Sequence, residues 1–77
     1  MDDGLEWRPY SAHVLRPKVR EFFTRGKVEY ELCLEGGTYV IRRTDRSGRT
    51  VRVEETARGY HRQAYAAWRR LVSGEVS

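Results

Sequence analysis

Acid–base, nucleophilic or metal chemistry in this chain would fall to His13, His61, Cys33 and eleven carboxylates. A catalytic histidine needs a second group to orient it and a proton or nucleophile within hydrogen-bond reach. His61 falls in the first turn of a predicted helix, where Glu54 or Glu55 can meet it. That pairing serves an ordinary salt bridge as readily as a general base. His13, Cys33 and His61 do not have the spacing of a zinc site. Cys33 lies opposite Val40 in a predicted hairpin, where a thiol behaves as a small packed hydrophobe. Gly36-Gly37 has neither the lysine nor the following helix of a phosphate loop. The residues therefore predict a non-enzymatic protein with no catalytic, cofactor-binding or metal site.

The elements that position these groups centre on residues 28–54, which read as two consecutive hairpins: VEYELCL, a Gly-Gly turn, TYVIRRT, a second turn, then TVRVE. A two-residue glycine turn of type I′ places Leu34 opposite Tyr39, Leu32 opposite Ile41 and Tyr30 opposite Arg43 on one face. Cys33–Val40 and Glu31–Arg42 then pair on the other. Asp45-Arg46-Ser47-Gly48 reads as a type I turn with a glycine bulge. That register sets Thr44 against Thr50, Arg43 against Val51, Arg42 against Arg52 and Ile41 against Val53, which adds Val51 and Val53 to the inner face. The C-terminal stretch GYHRQAYAAWRRLV carries an apolar stripe of Tyr60, Ala64, Ala67, Trp68 and Leu71, with Gly74 as its stop. Trp68 is expected to pack on Leu32, Ile41 and Val53.

Residues 17–25 read as a short helix, with Pro17 at its first position and Val19, Phe22 and Phe23 on one face. The competing strand would turn through Thr24-Arg25-Gly26-Lys27, but it would send Phe22 and Phe23 to opposite faces. Residues 1–16 form an arm carrying Leu5, Trp7, Tyr10, Val14 and Leu15, whose aromatic content predicts docking on a sheet face or edge. The expected fold is thus α+β: a three-stranded antiparallel meander with a C-terminal helix on one face and a short helix before strand one. It forms a single small domain over 1–77, with an arm (1–16) and a folded core (17–74). In element order, residues 28–72 resemble the arm-binding domains of phage integrases and the plant AP2-type domains. The resemblance implies a DNA-facing sheet opposite the helix. In this chain that face would carry Glu29, Glu31, Cys33, Val40, Arg42, Arg52 and Glu54, too acidic for a phosphate backbone.

The net charge of +4 permits anionic partners without requiring them. Only Lys18 and Lys27 of the 15 basic residues are lysines, a bias that fits either a GC-rich genome or phosphate recognition, with the alanine and glycine choices favouring the genome. No apolar run reaches the length of a membrane span. The acidic opening MDDGLEWRPY has no signal core, and one cysteine forms no internal disulfide, so a cytoplasmic protein is expected. The function expected is a small intracellular binding or regulatory module acting through protein–protein contacts, its partner including a second copy of itself. Trp7, Tyr10, Cys33 and Val40 are the residues expected to bind. The alternative is nucleic-acid binding through Arg43, Arg46, Arg49 and Arg52 on the second hairpin.

Overall fold

The computed structural model of the protein describes residues 5–12 and 16–76. His13, Val14 and Leu15 of the predicted arm lie outside the described residues, as does the acidic start at 1–4. Five antiparallel strands and one helix follow in the order β1 (Arg8–Pro9), β2 (Lys18–Arg25), β3 (Val28–Glu35), β4 (Thr38–Asp45), β5 (Arg52–Gly59) and α1 (His61–Ser73). Across the sheet the order is β1-β5-β4-β3-β2. The class is α+β as expected. The sheet has five strands rather than three, however, so the likeness to three-strand-plus-helix DNA-binding domains does not hold.

The β3–β4 hairpin has the predicted register at every position from Tyr30↔Arg43 to Leu34↔Tyr39. Its turn differs in kind, because only Gly36 takes a left-handed backbone, at φ 62°. That is the φ signature of a type II′ turn, and it leaves the two-residue loop and hence the register unchanged.

Residues 18–25 form strand β2, not a helix. The chain turns through Gly26, at φ 61°, and pairs with β3 from Arg25↔Val28 to Lys18↔Leu34. The adjacent phenylalanines do point to opposite faces. Phe23 stacks on Tyr30 at 4.8 Å and meets Trp68 edge-on at 5.2 Å, whereas Phe22 is 69% exposed. A bulge between Val19 and Glu21 absorbs one residue and so keeps Glu21 and Phe23 on the helix side.

The second hairpin departs from its predicted register by three residues: Ile41 faces Thr56, not Val53. An odd slip sends every side chain of the strand to the other face. Val51 and Val53 are consequently 57% and 38% exposed and leave the core. The observed register sets Arg42 against Glu55, Arg43 against Glu54 and Asp45 against Arg52. The predicted one had opposed Arg42 to Arg52. Exchanging a like-charge pair for opposite-charge pairs, and carrying the strand on to Gly59, outweighs burial of two valines.

Helix α1 covers one sheet face and buries Ala64, Trp68 and Leu71 against Tyr30, Leu32, Ile41 and Val76. Trp68 thus meets its predicted neighbours except Val53. Tyr60 is the exposed N-cap rather than part of the stripe. Gly74 closes the helix with φ 86°, and the Arg25 guanidinium donates to the Leu71 and Val72 carbonyls at 2.9 and 3.0 Å. No helix among the described residues is long and apolar enough to cross a membrane.

Candidate functional site

Besides the outer face of α1 and the short β1 edge, the described residues leave open the sheet face opposite α1 and the free edge of β2. The arm shapes that sheet face. Leu5 and Trp7 pack against the helix-side core, Arg8–Pro9 pairs with the β5 edge, and Tyr10 emerges on the opposite face beside Glu35 and Arg42. Proline is tolerated there because an edge strand leaves its missing N–H without a ladder partner. The arm is therefore a clip around the sheet, tied also by Thr56 Oγ1 donating to the Glu6 carbonyl at 2.7 Å and Tyr10 N donating to the Val53 carbonyl at 3.0 Å.

Beneath the clip lies a buried polar cluster. The Glu35 side chain is fully buried, and Arg58 binds it at 2.6 Å while holding Glu55 at 2.7 Å. Another Arg58 nitrogen donates to the Ser11 carbonyl at 3.0 Å, and Ser11 N donates to Glu55 at 2.9 Å. Tyr10 donates its hydroxyl to Glu35, and Arg42 pairs with Glu31 at 3.0 Å. Arg58 reaches this face because β5 takes an extra residue between its pairings with Ile41 and Tyr39. Ala57 occupies that bulge with φ 55°, a conformation costly for a residue with a Cβ. One strained alanine thus aims the guanidinium at two carboxylates.

Burial, then the hydrogen bond and the charge of Glu35, push the Tyr10 phenol up to about 12. A raised acid favours the neutral form in the fold. Its contribution to stability is whole below pH about 10 and falls away as pH rises through about 12. Tyr10→Phe is expected to lose about 1–3 kcal/mol at neutral pH and to flatten the alkaline limb of the stability profile. Urea titrations across pH check both. An unchanged alkaline limb would show that the hydroxyl carries no coupling.

The predicted protein-binding residues are not brought together: Tyr10, Cys33 and Val40 lie on the cluster's side of the sheet and Trp7 on the helix side, and all four are largely occupied. Cys33 and Val40 are fully buried, and burial first of all pushes the Cys33 thiol up to about 11, a neutral packed group. Tyr10 is tied to Glu35, and Trp7 packs on Tyr30, with the Arg43 guanidinium 4.0 Å over its ring. The predicted nucleic-acid arginines do not form a free patch. Arg43 binds Glu54 at 2.7 Å, Arg46 binds Glu29 at 3.2 Å and Arg52 binds Asp45 at 3.4 Å. Arg49 is exposed and makes no ion pair among the described residues. Arg52 and Glu54 pair toward the helix side, so the outer face carries Val53 and Glu55 in their place.

His61 meets rings, not carboxylates, with Tyr39 at 5.3 Å and Tyr65 at 4.3 Å. Among the described residues no group of three or more His, Cys, Asp or Glu could hold a metal ion.

A three-stranded meander would leave 28–34 and 50–54 as its open edges, but because residues 18–25 form a strand and not a helix, 28–34 is interior and the free edge is β2 instead. β2 ends the sheet, and every residue of it except Phe23 is exposed. Val19 and Phe22 lie opposite Cys33 and Glu31, which puts both on the face away from α1. Lys18 and Arg20, with Arg16 and Lys27 beside the strand, make no ion pair among the described residues. Comparison of the chain with protein-family models, with curated proteins and with solved structures finds no match.

Proposed function

We propose that this chain is a small non-enzymatic binding module whose partner is a protein, engaged along β2 and the adjoining sheet face. The observation that carries the reading is Phe22, a large aromatic left 69% exposed on a strand with no neighbour on its outer side. Exposed sheet edges recruit strands, and aromatic residues anchor interfaces. Val19, Val51 and Val53 add exposed apolar surface. Three groups that could serve catalysis are engaged: Glu35 and Glu55 are held by Arg58, and Cys33 is buried. Among the described residues, three of the four arginines of the nucleic-acid reading, Arg43, Arg46 and Arg52, each pair with a carboxylate.

Affinity capture from cell extract, followed by reconstitution with the purified protein recovered, tests the proposal. Phe22→Ser changes an exposed side chain, so the melting temperature should barely move. Binding of the reconstituted partner should weaken at least about tenfold, while Val72→Ser on the helix leaves it unchanged. Equal binding by all three proteins, or capture abolished by nuclease, would overturn the proposal.

A further inference from the structure

We infer that β2 accepts an acidic, extended segment of its partner as a sixth strand, an inference that rests on the protein-binding reading above. Three features of the edge select that occupant.

The backbone comes first. In an antiparallel sheet alternate residues of an edge strand direct N–H and C=O away from the sheet. β2 offers eight residues, about the length of an ordinary strand.

Charge comes second. Of the cations on β2, β3, β4 and β5, Arg42, Arg43, Arg52 and Arg58 each bind a carboxylate, and Arg25 caps the helix carbonyls. Lys18 and Arg20 make no such contact among the described residues. The one carboxylate of β2, Glu21, is turned toward the helix, where it accepts from Trp68 Nε1 at 3.0 Å. Arg16 and Lys27 extend the positive strip at either end. A second copy is the wrong partner, since full-overlap antiparallel self-pairing would set Lys18 against Arg25 at both ends of the strand, and like charges across strands destabilise.

The faces come third. Val19 and Phe22 project away from α1, next to Cys33 and Glu31 of β3, whereas Lys18 projects to the helix side opposite Leu34. An incoming strand that alternates apolar and acidic residues puts the apolar ones beside Phe22 and the acidic ones beside Lys18. A nucleic-acid strand would instead find a single exposed ring on β2 where sequence-tolerant binders stack successive bases.

The test uses the full chain and labelled peptides of about eight residues that alternate valine with glutamate, glutamine or lysine, beside an oligothymidylate. The glutamate peptide should bind about tenfold more tightly than the glutamine peptide, the worth of a few exposed ion pairs, and high salt should erase the difference. Amide exchange in β2 of the wild-type chain should slow on binding, a readout independent of any variant. The charge reversal Lys18→Glu with Arg20→Glu should transfer the preference to the lysine peptide. Equal binding of the glutamate and glutamine peptides, with β2 protected by both, would overturn the acidic selection while leaving edge docking in place. No protection of β2 by any peptide would overturn edge docking as well. Tighter binding of the oligothymidylate than of the glutamate peptide, lost on charge reversal, would reassign the strip to nucleic acid. Concentration-dependent dimerisation lost in Phe22→Ser would reassign the edge to a second copy.

Discussion

Trp68→Ala should lower folding stability by about 3–5 kcal/mol, most of what a domain of this size possesses. Trp68 is 3% exposed and is where the helix meets the sheet. Its ring receives the edge of Phe23, and its Nε1 holds Glu21. Deleting the side chain empties the space among Leu32, Ile41 and Leu71 and releases β2 from the helix. Trp68→Phe should recover part of the packing but not the hydrogen bond, placing it between the two. Circular dichroism in urea separates the three proteins. A loss below about 1 kcal/mol for Trp68→Ala would mean that α1 is not what closes the core.

The two hairpins show where pattern reading succeeds and where it stops. Between β3 and β4 the loop has two residues, so one turn determines every pair, and the predicted pairs are those observed. Between β4 and β5 the chain crosses 46–51 before pairing resumes. A loop of that length permits several registers, and the register that buries Val51 and Val53 rests on a glycine-bulge turn at 45–48, whereas Gly48 does not take the left-handed φ that turn needs. Cross-strand charge decided otherwise. Residues 17–25 were misread for a related reason. A strand seemed to waste one phenylalanine, and the structure does leave Phe22 in solvent. The bulge at Arg20 has no glycine to announce it.

The buried cluster was the least legible feature. Its acids sit beside turn and strand residues of ordinary type, and Arg58 falls between the last predicted strand, TVRVE, and the predicted helix. A glycine at 57 would have signalled a left-handed position; an alanine signals nothing. Tyr10 was singled out for its aromatic ring, yet its hydroxyl is what engages the sheet.

Arg58→Leu should cost about 3–5 kcal/mol at neutral pH, because it leaves two carboxylates in a site built around one cation. Hydrogen bonds from Arg58 to Glu55, and then to Glu35, push its pKa up despite burial, so the guanidinium is charged at every pH at which the protein can be studied. Without it, Glu35 and Glu55 ionise only at the expense of folding. Below the ordinary carboxylate range near pH 4 the stranded groups are protonated in both states, and the penalty accrues as pH rises above it. The gap between variant and wild type should therefore narrow as the solution is acidified. Arg58→Lys should fall between them, since an ammonium keeps the charge but cannot reproduce the planar fork that spans Glu55, Glu35 and the Ser11 carbonyl. Adding Glu35→Gln and Glu55→Gln to Arg58→Leu should restore part of the lost stability by removing the stranded charges. Should the single variant lose the same amount at every pH, or the triple variant regain nothing, packing of the arginine stem rather than its charge would be what holds the arm to the sheet.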